Sequence, residues 1–194
     1  MSAPARVGTI SQYLAVGLGA LAVFGLLVGT LFSLTRAYVL SKAEDEIEGM
    51  LLQHKGVHHY VQRKNHPELY RFIASGSIKP EAYTPVLFSS SFMVRNMHVF
   101  YNEEREKAGM PPLYYKMAAS NPRNPVNTAD EYEARLIAFF NTHPEEKEYR
   151  EIKEVDGKQY LYVAIPFLRN DRNCLKCHGK REESPPGLQA LYPG

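Results

Sequence analysis

The sequence predicts an α+β protein in which an N-terminal transmembrane helix continues into one soluble domain. Three patterns support this class. Residues 7–35 contain no charged side chain, hydrophobic residues between positions 40 and 108 recur at helical spacing, and residues 148–168 alternate about a turn sequence. Helices followed by a small antiparallel sheet are typical of α+β domains. The roughly 155 residues beyond the membrane are enough for one such domain and too few for two.

The first predicted element is a membrane anchor. Residues 13–34 are rich in Leu, Val, Ala and Gly, and as a helix rising about 1.5 Å per residue they cross a hydrocarbon layer of about 30 Å. A cleaved signal peptide has a shorter apolar stretch and a small-residue cleavage site, neither of which is evident. We therefore expect residues 1–12 to be a short cytoplasmic N-terminus, residues 13–35 an uncleaved signal anchor, and residues 36–194 the soluble domain.

The second element continues the anchor helix into that domain. One seam of mostly apolar residues advances by alternating steps of three and four, which is the spacing of a single helix face. The seam consists of Leu40, Ala43, Ile47, Met50, His54, Val57 and Val61. The helix is then predicted to end just before Pro67, because the residue preceding a proline avoids the helical conformation.

Two more helices and a loop follow. Residues 90–108 predict a helix that ends at Gly109. Its predicted apolar side is formed by Phe92, Met93, Met97, Phe100 and Tyr101. Residues 121–127 have no regular period and predict an ordered loop. Thr128 then predicts the N-cap of the next helix, with Glu131 completing a capping box.

A β-hairpin is predicted in the last third of the chain. Residues 148–155 and 158–168 have strand character, and they are separated by Asp156 and Gly157. This dipeptide is favoured in tight two-residue hairpin turns. The second strand leads directly to the most informative motif of the sequence.

That motif contains the only two cysteines of the chain, in the order Cys174-Leu175-Lys176-Cys177-His178. The pattern C-x-x-C-H is the attachment signature of a c-type haem, in which both thiols bind the porphyrin and the histidine binds the iron. A redox disulfide would be expected in a βαβ context, and a structural zinc site needs more ligands nearby. The motif therefore predicts one covalently attached haem c, with His178 as the proximal iron ligand.

The sixth iron ligand is less strongly determined by the sequence. His54 and His58 are the candidates, because they lie four residues apart on one side of a predicted helix. A methionine (Met50, Met93 or Met97) or an open, water-bound position are the alternatives. The choice matters because two imidazoles give a low reduction potential, whereas a thioether raises it.

Several of these segments together resemble the PAS-like, c-type-haem-binding sensory domains of bacteria. They are the loop at residues 121–127, the acidic and aromatic helix after it, the strand at residues 160–167, and the haem motif with Pro185-Pro186 beyond it. The resemblance implies a PAS-like domain of long helices packed on a small antiparallel sheet. It also implies a periplasmic sensor, here similar to a stand-alone, membrane-anchored member without a fused transmitter. The cysteine that some relatives place on the sixth iron site is not available, because both cysteines attach the haem.

These features predict a membrane-anchored mono-haem protein that senses redox state or a small gaseous ligand. The alternative is a membrane-tethered one-haem electron-transfer cytochrome. Cytochrome c maturation takes place outside the bacterial inner membrane, so we expect the soluble domain in the periplasm. The expected partners are the inner membrane, a separate signalling or electron-transfer protein, and a second copy in a homodimer.

Two function classes are not expected. The chain has 23 basic and 21 acidic residues and no basic stripe that would bind nucleic acid. A catalytic haem protein such as a peroxidase needs a distal acid–base pair, and no arrangement in the sequence singles one out. We therefore expect a protein that is not an enzyme.

Overall fold

The computed structural model describes residues 5–79, 83–166 and 175–192. The chain divides into two compact units, Met1–Glu48 and Gly49–Gly194. The described residues are mostly helical and include one small antiparallel sheet, as expected for the predicted class. All the predicted site residues belong by position to the second unit.

The first helix, α1, runs from Ala5 to Tyr60. The side chains of residues 11–34 are exposed along it. By length and composition the helix that contains them is able to cross a membrane. Further along α1, the predicted seam is confirmed where it enters the second unit, because Met50 and His54 are buried there.

The predicted helix end before Pro67 is wrong. A π-helical turn, Val61–Asn65, follows α1 directly and leads into a second α-helix, α2, at His66–Ala74. The backbone N–H of His66 donates to the carbonyl of Val61, five residues earlier. Pro67 lies in the first turn of α2, where a missing backbone N–H costs least. The chain therefore stays helical through the proline.

The helix predicted over residues 90–108 is confirmed as α4, Ser90–Lys107, which follows the short α3, Pro85–Phe88. The Oγ of Ser89 accepts a hydrogen bond from the backbone N–H of Phe92 and caps α4.

The buried side of α4 differs from the predicted apolar side. Val94, His98 and Arg105 are buried, whereas the side chain of Phe100 is 60% exposed. The two polar residues can be buried because each donates a hydrogen bond to a backbone carbonyl oxygen of the segment after α4. These hydrogen bonds replace those that the two N–H groups would otherwise make with water. The helical period of the sequence identified the helix. Which of its faces is buried depends on hydrogen bonds to residues that follow the helix in the chain.

The capping box is two residues further along than predicted. The next helix, α5, is Glu131–Thr142, and Asp130 is its N-cap. The Asp130 side chain accepts from the backbone N–H of Glu133 at 2.8 Å, and the Glu133 side chain accepts from the backbone N–H of Asp130 at 2.9 Å. Thr128 instead ends a 3₁₀ turn at Pro125–Asn127, in which the loop before α5 closes.

The predicted hairpin is confirmed. Strands β1 (Tyr149–Val155) and β2 (Lys158–Ala164) pair antiparallel. Asp156 and Gly157 have φ angles of 52° and 73°, the left-handed values that a type I′ turn requires. Residues 167–168 of the predicted second strand lie outside the described residues.

The last described segment contains three short helical turns. These are α6 at Leu175–His178, a 3₁₀ turn at Arg181–Glu183 and α7 at Pro186–Leu191. Leu188 of α7 is buried. It belongs to a small apolar core whose other buried members are Met50, Val61, Leu69, Val94 and Leu136.

Candidate functional site

The C-x-x-C-H motif lies partly on α6. Cys177 is half-buried, His178 is exposed, and Cys174 lies outside the described residues. Arg123 holds the end of this helix, because its Nε–H donates to the carbonyl of Cys177 at 2.9 Å and its Nη2 donates to the carbonyl of Gly179 at 2.9 Å. Terminal helix carbonyls have no partner within the helix, and a guanidinium satisfies them with charge-assisted hydrogen bonds. Arg123 therefore fixes the turn that carries Cys177 and His178.

Glycine is required directly after the motif. The backbone N–H of Gly179 donates to the carbonyl oxygen of Leu175 at 2.8 Å. A Cβ atom at position 179 would overlap with that same carbonyl oxygen. Any larger residue at this position would displace the helix that carries Cys177.

The imidazole of His178 is neutral at pH 7. Its side chain keeps contact with solvent, yet the surrounding protein lowers its pKa below 6.5 by desolvation and, to a smaller extent, through the positive charge of Arg123. Only a neutral imidazole has a lone pair to give to a metal. His178 is therefore in the protonation state that the proximal ligand of an iron needs.

Two tyrosines lie within electrostatic range of Cys177. Burial raises the pKa of Tyr70 and of Tyr83, and the nearby Cys177 thiol raises both further. The ring of Tyr83 stacks on Phe88, with ring centroids 5.2 Å apart. The attachment motif thus lies next to an aromatic surface contributed by α2 and by the chain before α4.

His54 and His58 are both buried on α1. Their side chains are 4% and 2% exposed, respectively. The Nδ1 of His58 lies 2.8 Å from the Oγ of Ser90, the first residue of α4. Ser90 can accept a hydrogen bond from Nδ1–H, which leaves the lone pair on Nε2. A partner of this kind orients a histidine for metal binding through its other nitrogen.

His54 belongs to a cluster of rings with His98 and Tyr115. Its ring centroid lies 5.6 Å from that of His98 and 4.3 Å from that of Tyr115, and the His98 and Tyr115 centroids are 5.4 Å apart. The Nε2 of His98 lies 2.7 Å from the carbonyl oxygen of Leu113. The Nδ1 atoms of His54 and His98 are both buried and have no hydrogen-bond partner among the described residues.

Burial keeps His54 and His58 uncharged. Desolvation lowers the pKa of His54 from 6.5 to about 4, with smaller contributions from the neighbouring His98 and His58. Desolvation also lowers the pKa of His58 to about 4, with a smaller contribution from His59. Both imidazoles are therefore neutral at pH 7 and able to bind a metal.

The π-helical turn follows His58 after two residues and is tied to the chain before α4. The side-chain amide of Asn65 donates to the carbonyl of Leu87 at 2.8 Å, and the Nε2 of His66 donates to the carbonyl of Phe88 at 2.8 Å. π-Turns inside helices are rare and often occur at functional sites. Through these two hydrogen bonds, the helix that carries His58 is linked to the segment that contains Phe88, whose ring stacks on Tyr83.

A cavity of about 310 Å³ lies beside the ring cluster. It is lined by residues of α4, of the segment 114–117 and of the 3₁₀ turn before α5, and Tyr115 is one of them. Two cationic residues, Arg95 and Lys116, also line it, and Lys116 is paired with Glu133 at 2.6 Å. The cavity is thus partly polar and touches the same tyrosine that packs on His54.

The site contains residues that the sequence did not identify. Ser90, Arg123 and Tyr115 carried no signal of their own, whereas His98, in line with Val94 and Tyr101 on the predicted helix, could be expected to be buried, and it is. Their roles depend on contacts between distant segments, such as the 32 residues that separate His58 from Ser90. Among the residues described, His178 makes no hydrogen bond or ring contact with His54.

The residues present fit a c-type haem. The iron of such a haem takes one ligand from the attachment motif and one from another part of the chain, and neutral imidazoles are available at both places. Within the described parts of the chain, no group of three or more His, Cys, Asp or Glu side chains is arranged to hold a metal ion.

Comparison with known proteins agrees with this chemistry. No curated protein and no solved structure shows significant similarity to the chain. The sequence model of the Tll0287-like family matches residues 36–194, which is most of the chain and includes the whole candidate site. This family comprises c-type haem sensory or cytochrome-like domains. The chain belongs to the Tll0287-like family.

Proposed function

We propose that this protein is a membrane-anchored c-type haem protein that senses redox state or a small gaseous ligand. One haem c is attached through Cys174 and Cys177, and His178 is its proximal ligand. The family match, the neutral imidazole of His178 and the clamp formed by Arg123 support this assignment. When bound, the haem supplies an iron that changes by one electron and can bind a diatomic ligand.

His58 is the preferred distal ligand, with His54 as the second candidate. The observation that carries this choice is the chain of contacts from α1 to the attachment motif. His58 lies 2.8 Å from Ser90, Phe88 two residues earlier stacks on Tyr83, and Cys177 acts electrostatically on the pKa of Tyr83. His54 lies one helical turn further from this chain of contacts and packs instead on His98 and Tyr115.

Sensing requires that the distal ligand be exchangeable and that its release move the protein. The π-helical turn at Val61–Asn65 begins three residues after His58. π-Turns inside helices are frequent at functional sites, and this one is where a shift of His58 would be absorbed. His58 also lies on the same helix as the apolar segment, whose exposed side chains suit a lipid environment.

The proposed location is the bacterial inner membrane, with the haem domain in the periplasm, where haem c is attached to its cysteines. A separate signalling or electron-transfer protein is the proposed partner, and a homodimer is the proposed assembly. The proposed role is binding and not catalysis. A PAS-like arrangement of the domain is part of the same proposal.

Electron transfer is the second candidate function. The side chain of His178 is exposed, and Cys177 is only half-buried. A haem attached at these residues would therefore present an edge at the protein surface, as an electron carrier requires. In that case the iron would be rigidly six-coordinate and would not exchange its distal ligand.

Spectroscopy of the matured, detergent-solubilised protein tests the haem assignment and the distal ligand. A pyridine haemochrome spectrum identifies haem c, and EPR of the ferric protein reports its axial ligands. We expect His58→Leu to convert a low-spin iron to a high-spin one, while His59→Leu, an exposed neighbour, preserves the wild-type spectrum. A colourless protein would overturn the haem assignment, and an unchanged spectrum in His58→Leu would overturn the distal one.

Addition of CO or NO to the reduced protein separates the two functions. A sensor should bind the gas fast and completely, with displacement of His58 and a change in protease sensitivity at the π-helical turn. An electron carrier should be inert to CO and keep its six-coordinate spectrum. Inertness of the wild type together with gas binding by His58→Leu would favour electron transfer.

A further inference from the structure

His54 and His98 form a second place where a metal could bind, distinct from the attachment motif. Both side chains are buried, at 4% and 6% exposure, and they come from different helices, α1 and α4. We propose that they bind one first-row transition-metal ion of the kind that prefers nitrogen ligands, such as zinc. The proposal rests on the proposed function in one respect only, which is that His58 and not His54 binds the haem iron.

The Leu113 carbonyl determines which ring nitrogen of His98 donates a hydrogen bond. Two oxygen or nitrogen lone pairs repel each other, so the 2.7 Å separation between Nε2 and the carbonyl oxygen of Leu113 requires a proton on Nε2. In the neutral imidazole that a metal ligand requires, Nδ1 then carries the lone pair. A histidine that donates one ring N–H to a backbone carbonyl and offers the other nitrogen is the usual arrangement of a metal ligand.

The nitrogen atoms that would face the metal have no other use in the fold. Nδ1 of His54 and Nδ1 of His98 are buried and have no hydrogen-bond partner among the described residues. Buried polar atoms are nearly always paired, and an exception calls for an unseen water or ion. Two such atoms on adjacent rings are explained together by one occupant that both rings bind.

The distance between the rings is suitable for a shared metal. With a metal–nitrogen bond of about 2.0–2.1 Å, the centre of an imidazole lies roughly 3.2 Å from the metal. Two such rings have centroids about 5.2 Å apart at a tetrahedral angle and about 6.4 Å apart at a linear one. The observed separation is 5.6 Å, which falls between these limits.

One side chain, Tyr115, links the two histidines to a cavity. Tyr115 packs on both histidine rings and lines the cavity of about 310 Å³. Water would have to complete the metal's coordination, because the described residues offer no third His, Cys, Asp or Glu there. A site with two protein ligands and water should be exchangeable, unlike a closed structural zinc site.

Zinc titration of the mature holoprotein tests the proposal. Loosely bound metal is first removed with a chelator, which leaves the covalent haem in place, and Zn²⁺ is then added alone in equilibrium dialysis. We expect one zinc per chain, an affinity at least about 10-fold weaker in His54→Leu and in His98→Leu, and unchanged affinity in the exposed control His59→Leu. Zinc should also raise the thermal unfolding midpoint of the wild type and the control, and not that of the two variants.

The zinc experiment can be distinguished from the tests of the haem assignment, because it includes separate measurements of folding and of the haem. Circular dichroism and the Soret band show whether each variant is folded, and His98→Leu leaves the Leu113 carbonyl satisfied because Asn102 donates to it at 2.9 Å. Equal zinc binding by the wild type and by a folded His54→Leu, His98→Leu double variant would overturn the second site. So would a change in the EPR spectrum of the iron in His54→Leu, since His54 would then be a haem ligand.

Discussion

Acid should destabilise the haem-free form of this protein between pH 7 and pH 5 through its buried histidines. His54 and His58 have folded-state pKa values of about 4, against 6.5 for an unperturbed histidine. The unfolded chain therefore binds protons at a higher pH than the folded one. Stability is fully present above pH 6.5, falls as the pH drops below that value, and the loss is complete near pH 4.

The magnitude follows from the two pKa values. One pKa unit corresponds to about 1.4 kcal/mol, and between pH 7.5 and pH 5.0 each histidine contributes a loss of about 2 kcal/mol. The two together give about 4 kcal/mol, which is a large part of the 5–15 kcal/mol typical of a folded domain. The pKa of His178 is also below 6.5, so His178 acts in the same direction. The pKa of the Glu151 carboxyl is lowered, so this group stays ionised through the window and does not contribute.

Urea denaturation at pH 7.5 and at pH 5.0 measures this loss. Far-ultraviolet circular dichroism is the suitable probe, because the chain has no tryptophan. We expect the double variant His54→Leu, His58→Leu to lose much less stability between the two pH values than the wild type. His59→Leu, whose side chain is exposed, should keep the wild-type slope.

A pH-independent unfolding free energy would refute the reasoning. A wild-type loss below about 1 kcal/mol over this window would mean that His54 and His58 are not held neutral by burial. An equal loss in the double variant would mean that other groups carry the effect.

Three further predictions concern the attachment turn and the hairpin. Arg123→Ala removes two charge-assisted hydrogen bonds at the end of α6 and should cost about 2 kcal/mol of stability. Haem staining should show less covalent haem per chain in this variant. Arg123→Lys should recover little of either loss, because an ammonium lacks the two-pronged geometry of a guanidinium. Gly179→Ala should lower the yield of attached haem, since its Cβ overlaps a backbone oxygen, while full attachment would show that α6 can shift without cost. Tyr132→Phe removes the largest of the hydrogen bonds that lower the pKa of Glu151, so an NMR titration should show that pKa moving up towards 4.5.

The parts of the fold that were predictable are those with local signals. The hairpin turn at Asp156 and Gly157 needs positive φ angles that this dipeptide tolerates, and α4 has a clear helical period. Cys177 and His178 of the C-x-x-C-H motif likewise lie on one helical turn, α6. In each case the interactions that decide the structure lie within a few residues of one another.

The parts that could not be predicted depend on long-range contacts. The buried face of α4 holds His98 and Arg105 because the chain after Lys107 folds back and offers carbonyl oxygens to both. Ser90 gained its role from a contact with His58, and Tyr115 from packing on His54. The PAS-like sheet expected from the resemblance has only its two-stranded hairpin among the described residues.

The π-helical turn determines which side of the following helix, α2, faces the protein interior. One residue of an α-helix advances the side chain by about 100°, so an unbroken α-helix would carry the side of Val61 to Glu68 seven residues later. The structure buries Leu69 instead and leaves Glu68 exposed. The turn thus acts as a one-residue insertion: rewinding it into an α-helix without losing a residue would turn Glu68 to the apolar interior, whereas deleting one exposed residue such as Arg63 would give an α-helix that still buries Leu69.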